Sequence, residues 1–422
     1  MDKINLMNPF ATVPRRCVNL PPGSLSTLLS CTVTGQLQQG PAVDEFSQRF
    51  TEYLDVPHIF GVAQGRSAFD LALRSLDLPP GSEIIFPVFT FPVMPLVAKL
   101  LGFKPVFCDV DPKSFNAQAE HIEACITPHT SAVLATHLFG QPCDIVAIEK
   151  LTRERNIRLL EDCAHACGVR IDGKQAGTFG DIGVYSFAEG KNMPCLGGGA
   201  IGVRDDAVAD RARDILAGGQ TQSTASIRSK GFSTWIKWLL TRPVVFGLSA
   251  YPVLRLKLAM GSPLMDSAVG DDLLSAYTTA NPGVVKMANL QGAIGLRQLR
   301  HIDAFNEGAR RNAALLTSCL GDIPGLGLPQ SEANHIYVYY PIAVAADKRD
   351  DLRNHLLRHG IDAKITDMSD CSRLQAFRDE GAADAGAARE ASLLEICVYP
   401  VISESQIRHI ARVIRDWAGV SA

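Results

Sequence analysis

Residues that could do chemistry follow the ends of four predicted strands. They are Gly65, Arg66 and Ser67 in "AQGRSA" (63–68), Phe91 in "FTFP" (89–92), Asp162 and His165 in "LEDCAHA" (160–166), and Ser186 and Lys191 in "GVYSFAEGK" (183–191). A helix N-terminus after a strand offers backbone N–H groups to a phosphate. A ring can stack on a flat cofactor, a carboxylate can keep a pyridine nitrogen protonated, and a lysine can form a Schiff base and shuttle a proton. Together these residues predict a pyridoxal-phosphate site.

Each of these residues taken alone has an ordinary structural explanation. Asp162 alone is more typical of a helix cap, Lys191 alone of a solvated charge, and Ser186 alone indicates almost nothing. The carboxyl ends of parallel strands meet at one edge of a sheet, so the joint placement favours a site. His137 also ends a predicted strand, where it either faces the same cleft or packs.

Metal binding is not predicted. Cys163, His165 and Cys167 are possible ligand types, but alternate residues at a strand-to-helix turn rarely converge on one ion. The two cysteines are interpreted as structural thiols.

An alternation of strand and helix patterns must position these side chains. Short apolar runs predict seven strands, at 58–63, 83–89, 105–110, 131–136, 157–162, 182–187 and 200–204, and helix-period segments between them lie at 67–76, 93–102 and 144–156. This order predicts an α/β fold whose mostly parallel sheet is covered on both faces. From about residue 300 a long helix (296–320), an apolar run (335–344) and a final helix (404–418) predict a smaller α+β domain.

Composition excludes several classes of protein. The chain has 422 residues, a net charge of −3 and 11 cysteines. This charge gives no reason to expect nucleic-acid binding, and an odd number of dispersed cysteines indicates reduced thiols and a cytoplasmic location. The first 20 residues lack the apolar core of a signal peptide, and no apolar run is long enough to span a membrane.

Five ordered motifs carry a family resemblance. They are "GRSAFDLALRSLDLPPGSEIIFPVFTFPVM" (65–94), "ATHLFGQPCDI" (135–145), "LLEDCAHACG" (159–168), "GTFGDIGVYSF" with "KNM" four residues later (177–193), and "LQGAIGLRQL" (290–299). The chain resembles the DegT-type aminotransferases, fold-type I pyridoxal-phosphate enzymes that mostly aminate keto-sugars attached to nucleotides. The resemblance extends from about Phe46 to Arg300 and more faintly over 393–414. It implies an aspartate-aminotransferase-like large domain (1–300) and a small C-terminal domain (301–422).

The resemblance implies a role for each residue at the ring of the cofactor. Lys191 matches the Schiff-base lysine, which acts as general acid and base in both half-reactions. Asp162 matches the carboxylate that faces the pyridine nitrogen, and His165 falls near the phenolic oxygen. Phe91 matches the aromatic residue stacked on the ring. Because Lys191 is kept rather than replaced by histidine, transamination is favoured over sugar dehydration.

The resemblance also implies a phosphate site and a dimer. Gly65, Arg66 and Ser67 occupy the phosphate turn, where Arg66 replaces a usual threonine, and Ser186 matches a serine that supports the phosphate. Lys286 is the one charge kept in "VVKM" (284–287), where the family has "NYRM" reaching into the neighbouring subunit's site. A homodimer with Lys286 near the cofactor is therefore expected.

The substrate is less well defined than the cofactor. The family's "GEGG" reads "LGGG" (196–199), and a segment that often lines the sugar pocket is "KITDMSD" (364–370), without its histidine. The expected reaction moves an amino group, with glutamate as the expected donor, to a keto-sugar or sugar-like acceptor that is nucleotide-linked or lipid-linked. The alternative is a non-catalytic relative that binds the cofactor within a membrane-associated polysaccharide or glycolipid assembly.

One segment is basic, apolar and without a counterpart in the family pattern. Positions 215–265 contain no Asp or Glu and six Lys or Arg residues, and 232–260 holds two of the three tryptophans, Trp235 and Trp238. This composition is typical of an interfacial contact with anionic lipid. It fits equally a hydrophobic insertion that covers the active site or builds a dimer contact. Peripheral contact with the inner face of the membrane through 232–260 is one of two expectations.

Overall fold

A seven-stranded sheet forms the centre of the computed structural model, which describes residues 9–261, 274, 283–321, 323–330, 334–380 and 392–420. Its strands are β1 (His58–Val62), β2 (Glu83–Pro87), β4 (Lys104–Cys108), β5 (Thr130–Thr136), β6 (Arg158–Asp162), β9 (Ile182–Ser186) and β10 (Gly199–Val203), in the spatial order β1-β10-β9-β6-β5-β2-β4. The predicted α/β fold with a mostly parallel, seven-stranded sheet is confirmed.

Six of these strands run in one direction and β10 runs against them. The pairs β2–β4, β2–β5, β5–β6 and β6–β9 are parallel, whereas β10 is antiparallel to both β1 and β9. A parallel pair needs a crossover of a dozen or more residues, usually a helix, but the stretch between Ser186 and Gly199 contains no helix, so the chain turns back beside β9. The carboxyl ends of the six strands therefore share one edge, and the turn after β9 carries Lys191 along it.

Helices cover both faces of the sheet. In chain order the helices are α1 (Ser24–Val33), α2 (Ala42–Leu54), α3 (Gly65–Leu76), α4 (Val93–Leu100), α5 (Ala119–Glu123), α6 (Ile145–Glu154), α7 (Asp206–Ala217), α8 (Thr224–Leu240), α9 (Pro243–Leu248), α10 (Ala250–Ala259), α11 (Asn289–Leu299), α12 (Ile302–Leu320), α13 (Ala346–Arg358) and α14 (Glu404–Trp417). Apolar residues pack on each side of the strands, for example Ile85 and Val133 on one face and Ile84 and Leu134 on the other.

The remaining strands form three small sheets. Strands β11 (Tyr340–Ala343), β14 (Leu393–Ile396) and β12 (Lys364–Ile365) form an antiparallel sheet; β13 (Ser369–Asp370) pairs with β3 (Phe89–Thr90), and β7 (Arg170–Ile171) with β8 (Lys174–Gln175). Apolar residues of α12 and α14 share one cluster with β11 and β14. This is the expected α+β arrangement; the division into domains at residue 300 stays a prediction.

Two predicted elements differ from the structure. The long helix expected at 296–320 is divided between α11 and α12, because the N–H groups of Arg300 and His301 bond to carbonyls only three residues earlier and close a tight turn. The apolar run 335–344 is a strand only from Tyr340, since Tyr337 has a left-handed backbone conformation with φ of 50°.

The basic apolar segment folds into α8, α9 and α10. Helix α8 packs on α1 and α11, where Ile227 shares a cluster with Leu28 and Leu290. Positions 262–265, at the end of the acid-free stretch, lie outside the described residues. Among the helices that the structure describes, none is long and apolar enough to cross a lipid bilayer.

Candidate active site

A cavity of about 300 Å³ opens at the carboxyl edge of the six co-directional strands. Seven of the nine predicted site residues line it: Gly65, Arg66, Phe91, Asp162, His165, Ser186 and Lys191. Asp162 and Ser186 end β6 and β9, and the other five lie in the segments that follow β1, β3, β6 and β9, so the sheet edge brings together residues up to 126 positions apart. A cavity of this size is at the lower end of the range for small-ligand sites.

Lys191 lies in the turn between β9 and β10, and neighbouring hydroxyls hold this turn. The backbone N–H of Lys191 donates to the carbonyl of Ala188, and the hydroxyls of Tyr339 and Tyr399 both donate to the carbonyl of Gly190, at 2.8 and 2.9 Å. Burial lowers the pKa of the Lys191 ammonium to about 8, although the Asp162 charge opposes the shift. Near pH 7 the neutral, nucleophilic amine is therefore far more populated than in an ordinary lysine, although the ammonium still predominates.

Asp162 ends β6 in the middle of the sheet, opposite Thr136 of β5 and Val184 of β9. Its side chain is buried, and its Oδ1 accepts the N–H of Ala164 at 2.9 Å. Burial raises the pKa of this carboxyl, while the Ala164 N–H and the charge of Lys191 counteract the rise. A buried carboxylate of this kind favours a cationic partner such as a protonated pyridine nitrogen.

His165 is held as a neutral ring. The Phe139 N–H donates to its Nδ1 at 3.2 Å, and its ring stands edge-on to Tyr339. Burial, together with the charges of Lys191 and Lys364, places the pKa of His165 well below its usual value. Because Nδ1 accepts a hydrogen bond in a neutral ring, Nε2 carries the proton and is a donor.

The other end of the cavity is basic and close-packed. Helix α3 begins at Gly65, where an added Cβ would lie 2.7 Å from the Ser186 Cβ, so only glycine lets the helix start approach the Ser186 side chain. Arg66 lines this end, and so does Lys230 of α8, whose Nζ would lie 2.3 Å from a Cβ added to Gly197. Burial lowers the pKa of Lys230, and Glu189 partly offsets this effect. Two cations and a helix N-terminus therefore meet where a phosphate is expected.

The donor set fits pyridoxal phosphate. At one end a lysine and a buried carboxylate face the same space, and at the other end lie Arg66 and Lys230. The hydroxyl oxygens of Thr90 and Thr136 are buried at the cavity wall without a hydrogen-bond partner in the part of the chain that the structure describes. Buried polar atoms without partners in a cavity indicate that a ligand completes it.

Two predicted site residues lie outside this cavity. Ser67 is buried and its hydroxyl donates to the carbonyl of Gly283 at 3.0 Å, so its side chain is not available to a phosphate. Lys286 pairs by its backbone with Val62, and its Nζ donates to the Ala217 carbonyl at 2.7 Å. The expectation that Lys286 reaches a neighbouring subunit stays a prediction.

His137 lines the cavity and also belongs to a buried network. Its Nε2 lies 3.2 Å from Glu161, and its Nδ1 accepts the Cys143 N–H. His137, Glu161 and Cys163 place ligand-type atoms within 4.8 Å of one another. The carboxylate of Glu161 already accepts three backbone N–H groups, those of Gly177, Phe179 and Gly180. This carboxylate holds the turn before β9, which gives the network a structural role.

Several lining residues were missed by sequence reasoning. Arg16, Lys230, Tyr339, Asp367 and Met368 all line the cavity, although none follows a strand of the large sheet. Lys230 belongs to the basic apolar segment, for which an insertion that covers the active site was one of the expectations. Asp367 and Met368 belong to the segment noted for its missing histidine. The expectation that "KITDMSD" lines a pocket points to Asp367 and Met368, and the expectation of an insertion over the active site points to Lys230.

Comparison with known proteins agrees with this geometry. The sequence model of the DegT/DnrJ/EryC1/StrS aminotransferase family matches residues 24–237 and 270–415. The chain is 28% identical over 362 residues to a UDP-N-acetyl-3-dehydro-alpha-D-glucosamine 3-aminotransferase of Acidithiobacillus ferrooxidans, covering 85% of this chain and 84% of the relative. It is 27% identical to the dTDP-3-amino-3,4,6-trideoxy-alpha-D-glucose transaminase of Streptomyces venezuelae, covering 91% and 89%.

The fold matches solved aminotransferases as well. The aminotransferase TlmJ from Streptoalloteichus hindustanus superimposes with a TM-score of 0.77 at 24% identity, covering 96% of this chain and 98% of that protein. The family match leaves 238–269 unmatched, which narrows the segment without a family counterpart to the end of α8 and the helices that follow. With its motifs, its sheet and its cavity in agreement, the chain belongs to the DegT/DnrJ/EryC1/StrS aminotransferase family.

Proposed function

We propose that this aminotransferase, whose cofactor is pyridoxal phosphate, moves an amino group from glutamate to the keto group of a nucleotide-linked sugar. The observation that carries the proposal is the presence of Lys191 and Asp162 in one cavity with a basic phosphate end. The relatives above are named for amination of UDP- and dTDP-sugars, which supports this class of acceptor. Both chemical groups are intact, which favours an enzyme over the non-catalytic alternative.

Each side chain that lines the cavity has a role that follows from its position there. Bound in the cavity, pyridoxal phosphate supplies an aldehyde that bonds to an amine and a ring that accepts the electron pair of a broken C–H bond. Lys191, with its pKa of about 8, takes and returns the proton at the substrate carbon. Asp162 would hold a proton on the pyridine nitrogen, and the Nε2–H of His165 would donate to the phenolic oxygen. Arg66 and Lys230 would bind the phosphate.

A half-reaction screen tests the acceptor. We expect the enzyme, converted to its pyridoxamine-phosphate form with glutamate, to regain the absorption band of lysine-bound cofactor when a nucleotide keto-sugar is added. Keto-sugars that lack the nucleotide should react at least tenfold more slowly. The control is Lys150→Ala, which removes an exposed lysine on α6 and should behave as wild type. If no nucleotide keto-sugar restores the band in wild type, the proposed acceptor class is wrong.

We further propose that the working unit is a homodimer with a cytoplasmic location. Lys286 lies at the position that the family resemblance places toward the neighbouring subunit, and in the part of the chain that the structure describes its Nζ donates to a backbone carbonyl. Sedimentation equilibrium should give twice the mass of one chain, and a strictly monomeric active enzyme would contradict this proposal.

We also propose that α8–α10 contact an anionic lipid surface. Of the 13 exposed large apolar side chains among the described residues, eight lie in this segment: Phe232, Ile236, Leu239, Leu240, Leu248, Val253, Leu256 and Met260. Trp235 and Trp238, the expected lipid-contacting residues, are half-buried against the cluster around Leu28 and stack on each other. The apolar contact surface therefore consists of aliphatic side chains, with Phe232, rather than of the tryptophans.

The structure also reduces the charge available to that surface. Lys230 faces the cavity, Lys237 pairs with Glu189 at 2.8 Å, and the Arg242 guanidinium lies over the Trp238 ring. Arg228, Arg255 and Lys257 remain from the six basic residues of this acid-free stretch. Three cations near an anionic surface contribute roughly 1 kcal/mol each, so apolar burial must contribute much of the binding.

Vesicle sedimentation tests the lipid contact. Wild type should bind vesicles increasingly as anionic lipid is raised, and less at high salt. Ile236→Ser/Leu240→Ser should weaken binding on the order of tenfold through lost apolar area, and Arg255→Gln/Lys257→Gln should weaken it only at low salt. The matched control is Val33→Ser, which removes an exposed apolar side chain on α1. Failure of wild type to bind at low salt would identify the segment as a protein contact.

A further inference from the structure

An N-terminal strap, residues 12–19, places Arg16 at the wall of the cavity. Val13 forms a bridge with Ile361, and Asn19 donates to the carbonyl of Asn192, one residue past Lys191. Between them Arg15 makes a two-point ion pair with Asp362, Nε to Oδ2 at 2.8 Å and Nη2 to Oδ1 at 2.9 Å. The strap is thus fixed at one end to the region before β12 and at the other to the Lys191 turn.

The two adjacent arginines of the strap have opposite surroundings. Arg15 is directed to Asp362, and Arg16 lines the cavity. A Cβ added to Gly190 would lie 3.2 Å from the Arg16 Nη1, so this guanidinium reaches the residue next to Lys191.

The carboxylates nearest to Arg16 are engaged elsewhere. Lys364 is buried and pairs with both Asp367 and Glu395, at 3.2 Å for the latter. Within the described part of the chain the Arg16 guanidinium has no hydrogen-bonding partner. Burial lowers the pKa of Arg16, but Tyr339 and the charges of Asp367 and Glu395 raise it overall, so the group stays charged.

We propose that Arg16 binds a carboxylate of the substrate that reacts at Lys191. This inference rests on the proposed function, because an amino-acid donor must bring its carboxylate to the lysine turn. A guanidinium without a protein partner matches a carboxylate in geometry and charge. Two substrates could supply the carboxylate, the amino donor or a uronic-acid acceptor. In both cases Arg16 would bind a carboxylate, and measuring the two half-reactions separately distinguishes the two sources.

The test measures binding and turnover separately in Arg16→Gln, Arg16→Lys and wild type. Binding of glutarate, which has two carboxylates and no amine, is followed through the absorption band of the lysine-bound cofactor. In the donor half-reaction, glutamate is compared with ethylamine; in the acceptor half-reaction, a nucleotide keto-uronate is compared with its neutral keto-sugar. Cofactor affinity is measured on each variant, and Arg49→Gln, which removes an exposed arginine on α2, is the control.

For Arg16→Gln we expect at least a tenfold rise in KM for the substrate whose carboxylate Arg16 binds. If that substrate is the amino donor, the affinity for glutarate should also fall. Arg16→Lys should give KM and affinity values between those of Arg16→Gln and wild type. Ethylamine, the neutral sugar and cofactor affinity should change less than twofold. A loss confined to glutamate identifies the donor, and a loss confined to the keto-uronate identifies the acceptor. Equal losses with and without the carboxylate, or no loss in either half-reaction, would overturn the inference.

The outcomes also separate this inference from the proposed function. If wild type aminates nucleotide keto-sugars while Arg16→Gln keeps every KM, the function stands and the carboxylate site is wrong. If wild type aminates none of them, yet its glutarate affinity depends on Arg16, the carboxylate site stands and the acceptor class is wrong.

Discussion

Replacing Lys191 by alanine is expected to abolish the absorption band of the lysine-bound cofactor and to lower turnover by roughly 10⁴-fold or more, since both the covalent partner and the proton carrier are lost. The proposed phosphate end, with Arg66 and Lys230, is untouched, so the variant should still bind the cofactor reversibly. In wild type, borohydride should fix the cofactor to the peptide that contains Lys191. Attachment to any other lysine would contradict the assignment.

The lowered pKa of Lys191 gives the same assignment a pH signature. Only the neutral amine attacks an aldehyde, and burial brings the pKa of this lysine to about 8. The rate at which apo enzyme takes up pyridoxal phosphate should therefore rise with pH up to about 8 and level off above it. A rate that continues to rise toward pH 10 would indicate an ordinary, solvated lysine.

Asp162→Asn is expected to lower turnover on the order of 10²- to 10³-fold, the range seen when one group that stabilises transition-state charge is removed. The amide is nearly isosteric and can still accept the Ala164 N–H, but it cannot hold a proton on the pyridine nitrogen. Cofactor affinity should fall far less than turnover, because the phosphate contacts are unchanged. Single-turnover kinetics and a cofactor titration on the same preparation measure the two effects.

A second variant makes the Asp162 result decisive. Asp162→Glu keeps the charge and should recover part of the turnover that the amide loses. If cofactor affinity and turnover fall equally in Asp162→Asn, the residue has a structural role at the end of β6. The variant would then also show a lower melting temperature, as expected for a buried side chain that only supports the turn at Ala164.

The strands of the large sheet could be located from sequence because each has a recognisable local pattern. Segments such as Arg158–Asp162 and Ile182–Ser186 are short apolar runs bounded by turns, and the structure places strands there within one or two residues. The long helix was wrong because the break at Arg300 and His301 depends on a tight turn with no glycine or proline to mark it. The positive φ at Tyr337, which delays the start of the strand to Tyr340, likewise cannot be recognised from the local sequence pattern.

The sequence by itself determined the family, the cofactor chemistry and the strand-end half of the cavity, with Lys191, Asp162, His165 and Ser186. These residues can be found from sequence because the carboxyl ends of parallel strands meet at one edge of the sheet, and this does not depend on how the other segments pack.

Only the tertiary structure showed which residues form the wall of the cavity that faces the strand ends. Arg16, Lys230 and Asp367 come from the N-terminal strap, helix α8 and the segment after β12, and each reaches the cavity through long-range packing rather than local pattern. The same packing turned the Ser67 hydroxyl to Gly283 and left Lys286 on a backbone carbonyl. Side-chain direction at these positions follows from which distant segments lie against them, and residue type and spacing do not encode that.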